Sequence, residues 1–343
     1  MKITLFAAYL SILILAVSSG KAQKPGKNKQ QYARLGDFNL ESGQKIEDCK
    51  IGFRTYGKLN ADRSNAVIFP TWFTGTTKEL ESMVPGKIVD TLAYHLILFD
   101  ALGNGVSSSP SNSSKQARLQ FPVFTIRDMV ESQHQVLTGN MGIHHLEAVC
   151  GISMGGMQTF QWAVTYPELM NKIVSIVGSP QLTTSDLLLW NAELNAMERD
   201  PAYLNGNYEQ KPLLPGVTMM HQFALTTPEY LSNAVSRDDF SKWLAKKESE
   251  NMDWNDMHRQ LEALKSHNIA KFGGTLEQAA KEIKAKMLII VSRQDHMVNP
   301  LPATRFAEMT NARLFVLEGN CGHIAPWCEA AEVRKTVQSF LKK

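Results

Sequence analysis

A mostly parallel α/β sheet with helices on both faces, interrupted by an inserted helical cap, is the architecture this 343-residue sequence predicts. Three observations carry that expectation. Six short apolar runs have the length and composition of strands buried on both faces. Amphipathic segments separate several of them, which is the strand–helix–strand rhythm of a parallel sheet. A stretch of about a hundred residues, 181–284, is helical in its periodicity and poor in β runs, so it reads as an insertion between two strands.

Taken in order, the first 22 residues stand apart from the rest. Lys2 precedes the apolar run "ITLFAAYLSILILAV", and "SSGKAQ" offers Gly20-Lys21-Ala22 as a small-x-small cleavage site before Gln23. That is the layout of a secretory signal peptide. An apolar run of about 15 residues is short of the roughly 20 that span a bilayer. The expectation is export, to the periplasm or beyond the cell, with no membrane attachment after cleavage. Residues 23–30, "QKPGKNKQ", read as a disordered polar leader. The remainder divides into a core, 31–180 and 285–343, and the cap between them.

Within the core, "CKIGFRTYGKLN" alternates like an antiparallel edge strand. "NAVIF" (65–69), "HLILFD" (95–100), "LEAVC" (146–150), "KIVSIVG" (172–178), "KMLIIVS" (286–292) and "ARLFVLEG" (312–319) are the six buried runs. "IRDMVESQHQVLTGNMG" and "MQTFQWAVTYPE" are amphipathic helices between them. "DFSKWLAKKESENMDWNDMHRQLEALKSHNIAKF" makes the cap largely helical.

The formal charge is +3, and without the first 22 residues, which carry Lys2 and Lys21 but no acid, it is +1. Such a balance gives no electrostatic ground for nucleic acid or an anionic membrane as partner. The partner left is a small molecule, with a homodimer as the one protein association the reading admits. Four cysteines, Cys49, Cys150, Cys321 and Cys328, do not form a disulfide framework in a chain of this size. Cys321 and Cys328 are close enough in sequence to pair across the intervening loop after export, or to remain two thiols. Cys150 is expected to pack as a free thiol. No metal-ligand spacing occurs, and no cofactor is expected.

Chemistry concentrates at "VCGISMGGMQ". Gly151-Ile152-Ser153-Met154-Gly155 is a G-x-S-x-G motif set between a strand-like run and a helix-like one, as a nucleophile elbow requires. Asp295 follows the run "KMLIIVS", and His323 follows "ARLFVLEG". Ser, Asp and His in this order, each after a strand, make a hydrolytic triad. Taken singly, Asp295 reads as a surface acid and His323 as a loop histidine; the joint placement favours the triad. The oxyanion-hole N–H groups are expected from Met154, directly after the serine, and from "FPTWFTGT", with Phe73 preferred over Trp72. "DALGNGVSSSP" lacks the lysine of a phosphate loop and reads as a tight turn beside the site.

These residues resemble the homoserine O-acetyltransferase family of α/β hydrolases. The likeness runs from about Phe38 to Phe340 and is most specific in "TYGKLN", "FTGT", "FPVFTIRDMVESQ", "GISMGGMQTFQWAVTYPE", "RDPAYLNGNY" and "SRQDHMVNP". The resemblance implies the α/β-hydrolase fold, an acyl-serine mechanism on Ser153, Asp295 and His323, a helical lid and no metal. Trp72, His221 and Ile324 are the expected substrate contacts, and the last two depart from the family pattern. The lid arginine that binds homoserine is replaced by His221, and the aspartate after the catalytic histidine by Ile324. The expected function is therefore a secreted serine hydrolase of small-molecule esters. The alternatives are an O-acyltransferase with another acceptor and a noncatalytic binding protein on the same fold.

Overall fold

The computed structural model describes residues 28–250 and 252–343; the expected signal peptide and residues 23–27 of the leader lie outside the described residues. Among the described residues eight strands form one sheet: β1 Gln31–Asn39, β2 Lys45–Tyr56, β3 Ala66–Pro70, β4 His95–Phe99, β5 Leu146–Ile152, β6 Met170–Ile176, β7 Lys286–Ser292 and β8 Arg313–Leu317. Their order is β1-β2-β4-β3-β5-β6-β7-β8. The six expected runs are the parallel strands β3 to β8.

The segment expected as the antiparallel edge is instead the second strand. β1 covers it, pairing antiparallel with β2. The register of β1 shifts on both sides of Gly36. Each shift changes which face the next side chain meets, so strict alternation is lost and the strand escapes a period-two reading. Just before it, Gln30 donates from Nε2 to Asp100 at 2.9 Å, so the end of the expected leader is fastened to the core.

Alternation in the parallel strands sorts the interior into two layers. Ile68, Ile97, Val149, Ile173 and Ile289 point to one face, with helices α2 (Ile126–Gln135), α3 (Met154–Thr165) and α10 (Pro300–Met309). Their neighbours Val67, Leu96, Ala148, Val174 and Leu288 point to the other, against α1 (Thr77–Glu81) and the helix Ala330–Leu341. Both faces are covered, which is why these strands are apolar throughout. Cys150 is fully buried in the second layer, and burial pushes its thiol pKa well above the reactive range.

Between β6 and β7 the described residues form six α-helices, α4 Thr184–Arg199, α5 Pro215–Leu225, α6 Pro228–Ala234, α7 Phe240–Glu250, α8 Trp254–Lys265 and α9 Leu276–Glu282. The first five build the cap, while α9 rejoins the sheet layer against α3 and α10. Helix α8 fastens the cap to the core. Arg259 donates to the carbonyls of Leu119 and Phe121 at 2.6 and 2.8 Å, and Asp256 accepts from the backbone N–H and hydroxyl of Ser111 at 2.8 and 2.5 Å. Among the described residues no helix is long and apolar enough to cross a membrane.

Burial pushes the Asp256 carboxyl up to about 7, with the Ser111 hydrogen bonds opposing the shift. Its contribution to stability is full below its ordinary value of 3.8 and is lost as pH rises towards 7. The difference corresponds to about 4 kcal/mol at most. Asp256→Asn keeps an acceptor for the Ser111 N–H and removes the titration. Its stability relative to wild type is expected to climb between pH 4 and 7 and level off above, measured by urea unfolding at each pH. Parallel pH profiles for the two proteins would rule out this role for Asp256.

Candidate active site

Ser153 stands between the end of β5 and the first residue of α3, with φ 57° and ψ −121°. A non-glycine residue with such a φ costs about 1–3 kcal/mol and persists only where its surroundings enforce it. The neighbouring glycines are part of that enforcement. A Cβ on Gly151 would come within 2.2 Å of the Gly155 carbonyl oxygen, and one on Gly155 within 2.6 Å of the Pro70 oxygen at the end of β3. Strand, serine and helix therefore pack backbone against backbone, and the hydroxyl is carried to the carboxyl end of the sheet.

The loops after β7 and β8 bring the other two residues to it. His323 Nε2 lies 2.8 Å from Ser153 Oγ, and His323 Nδ1 lies 2.7 Å from Asp295 Oδ2. Asp295 Oδ1 accepts the N–H groups of Met297 and Val298, each at 2.9 Å. Both carboxylate oxygens are thus committed, which fixes the imidazole plane and places the Nδ1 proton toward Asp295. The remaining ring nitrogen is set to take the serine proton. His323 and Asp295 are buried.

Two N–H groups are suited to a developing oxyanion. Met154 is the first residue of α3, so its N–H has no intrahelical acceptor. Phe73 lies in the loop after β3, and its N–H finds no acceptor among the described residues. That loop is held from the cap. Gln260 on α8 accepts the Thr74 N–H at 2.8 Å and donates to the Leu102 carbonyl at 3.0 Å. Thr74 itself takes φ 64°. The "DALGN" turn supports the same loop from behind. Asn104 donates to the Gly75 carbonyl and to Asp100, and Asp100 also accepts from the Thr77 N–H and hydroxyl.

Ser153 and His323 open onto a cavity of about 370 Å³, at the small end for ligand pockets. Trp72, Phe73, Met157, Trp190, Leu225, Met297, Val298, Ile324 and Trp327 give it largely apolar walls; His221, Gln222, Thr74, Glu79 and Lys247 are polar. All three expected substrate positions, Trp72, His221 and Ile324, therefore reach the same space as the serine. Cys321 and Cys328 are joined in a disulfide that brackets His323 and Trp327. Trp327 in turn meets Trp72 edge-on at 5.5 Å.

The sequence reading missed two residues of this region, Gln260 and Glu193. Glu193 is fully buried, and its carboxylate lies 3.2 Å from His221 Nδ1. A signal was present: Trp190, Glu193, Leu194 and Met197 share the buried face of α4, so a glutamate occupies a core position of an amphipathic helix. Among the described residues no group of three or more His, Cys, Asp or Glu could hold a metal ion.

Residues 67–330 match the family model for the alpha/beta hydrolase fold. The chain is similar to an ethyl acetate hydrolase of Pseudomonas veronii, at 31% identity over 77% of this chain and 80% of that protein. It is also similar to a homoserine O-acetyltransferase of Methanococcoides burtonii, at 29% identity over 89% of this chain and 72% of that protein. Among solved structures, an acetylester hydrolase from Corynebacterium glutamicum superposes with a TM-score of 0.86 at 24% identity, covering 92% of this chain and 96% of that one, a likeness of fold.

Proposed function

The chain belongs to the α/β-hydrolase family and is an enzyme of its serine hydrolase and acyltransferase class, and from that premise we propose that it is an exported hydrolase of small neutral esters working through an acyl-Ser153 intermediate. The observation that carries the reading is the cavity at Ser153. It is small, it is walled mainly by apolar side chains, and Ile324 stands beside His323 where a zwitterionic acceptor would need a charge. The ethyl acetate hydrolase relative supports the same substrate class.

In this mechanism His323 takes the Ser153 proton as the hydroxyl attacks the ester carbonyl. The N–H groups of Met154 and Phe73 stabilise the resulting oxyanion, the largest electrostatic contribution in acyl transfer. Asp295 stabilises the imidazolium. Collapse expels the alcohol, which takes a proton from His323, and leaves the acyl-serine. Water then enters, gives its proton to His323, and releases the acid by the same route in reverse. No step calls for a metal or an organic cofactor. Export rests on the apolar segment at residues 3–17.

Acyl transfer to another alcohol differs only in the second nucleophile, and the homoserine O-acetyltransferase relatives favour keeping it as a second reading. The distinguishing experiment supplies the purified protein with short-chain acetate esters in the presence of increasing concentrations of small alcohols. Free acid as the dominant product throughout is the expected result. Acyl transfer outrunning hydrolysis at millimolar alcohol would replace the hydrolase reading with the transferase one.

A further inference from the structure

A second carboxylate–imidazole pair borders the same cavity: His221 lines its wall, and Glu193 is buried behind the ring. Glu193 lies on α4 with its side chain fully buried, and His221 lies on α5 with part of its ring facing the cavity. A buried carboxylate needs a hydrogen-bonding partner to be tolerated. His221 Nδ1, at 3.2 and 3.4 Å from the two oxygens, is that partner. The proton on Nδ1 is thereby directed at Glu193 whether the ring is neutral or cationic. Nε2 is the nitrogen left for a ligand. The ring is set in place by Phe73 and Trp190, with centroids at 5.8 and 6.5 Å.

The charge around this nitrogen selects what it can hold. With Glu193 ionised, the pair is either neutral or singly negative, never positive. The other charged side chains on the cavity wall are Glu79 and Lys247, and Lys247 is already paired with Glu250 at 3.1 Å. On the wall itself Glu79 and Lys247 cancel, so no net positive charge is left to receive a carboxylate. A hydroxyl fits both states of the ring, because it donates to a bare Nε2 and accepts from a protonated one. We propose that His221, oriented by Glu193, is a specificity-determining residue that hydrogen-bonds a hydroxyl group on one arm of the ester, so that the preferred substrates are small hydroxylated esters. This rests on the ester-hydrolase reading and names the substrate class within it.

Two matched pairs exchange a methyl for a hydroxyl at constant size: propyl acetate with 2-hydroxyethyl acetate on the alcohol arm, and ethyl propionate with ethyl glycolate on the acyl arm. The quantity of interest is the ratio of kcat/KM for the hydroxyl ester to that for its methyl partner. Comparing the ratio between proteins cancels the intrinsic reactivity of each ester. In at least one pair the wild-type ratio is expected to exceed that of His221→Leu by about 10-fold or more, the range in which a site built to hydrogen-bond a hydroxyl discriminates. His221→Leu alone strands a buried carboxylate, so the double substitution Glu193→Leu with His221→Leu is run beside it. Labelling of Ser153 by a fluorophosphonate reports that each protein is folded. Glu193→Gln, which keeps an acceptor for Nδ1, is expected to retain most of the preference. Ratios within 2-fold of one another in both pairs, across wild type and a labelled variant, would overturn the assignment while leaving ester hydrolysis standing. Absence of all ester turnover in the wild-type protein would remove the hydrolase reading and this assignment together.

Discussion

Ser153→Ala is expected to lower kcat for ester hydrolysis by roughly 10⁴-fold or more, with KM changed far less. The methyl group cannot form the acyl intermediate, so the proposed covalent route is lost entirely. Whatever turnover remains comes from the two N–H groups and from binding. The residue's φ of 57° is held by Gly151 and Gly155, which pack against the main chain around them. Alanine keeps a Cβ and tolerates the same turn no worse than serine, so the variant should fold. Two measurements check the expectation: burst and steady-state kinetics on an activated acetate ester, and mass mapping after fluorophosphonate treatment, which should modify wild-type Ser153 alone. Near-normal turnover by the alanine variant would mean that another nucleophile does the work.

The second large effect is one of discrimination. Homoserine is expected to be a poor acyl acceptor from acetyl-CoA, while small neutral esters are hydrolysed readily. A homoserine site needs an opposite charge for the ammonium and another for the carboxylate. Ile324 supplies neither charge nor hydrogen bond, and it lines the cavity next to His323. The His221 ring is committed through Nδ1 to the buried Glu193, so with Glu193 ionised the pair has no net positive charge with which to hold a carboxylate. Two absent charge-assisted contacts, at about 1.5–3 kcal/mol each, weaken transition-state binding by about 10²- to 10⁴-fold. Both substrates are given to the same preparation and the initial rates compared. Efficient acetylation of homoserine with little ester hydrolysis would show that the clamp comes from elsewhere in the cap.

Several features were legible because local sequence carries their cause. The six parallel strands are read from apolar runs, since both faces of each are covered and no alternation is needed to place them. The elbow is read from glycines on either side of a serine, because only the absence of side chains lets β5, α3 and the end of β3 approach so closely. Asp295 and His323 stand out by lying just beyond strands, where an open parallel sheet presents its loops. Other features had no such local cause. β1 was hidden by the two register shifts around Gly36, which break the period that would have announced it. The expected edge strand is therefore an interior neighbour of the edge.

The sequence by itself placed the six parallel strands, a helical stretch between two of them, the serine, aspartate and histidine that the structure brings within hydrogen-bond reach, and residues without a fixed charge at positions 221 and 324. Each of these depends on interactions between residues near in sequence or on a chain order that the fold must respect. Only the tertiary structure decided what stands behind the cavity wall. Glu193 meets His221 across 28 residues of sequence, and Gln260 reaches Thr74 across 186. It also decided that Cys321 and Cys328 are joined, where sequence left the pairing open. The physical reason is common to the two polar contacts. A buried polar group is tolerable only with a partner in hydrogen-bond reach, and that partner is chosen by the packing of whole helices against the sheet, which no local pattern records.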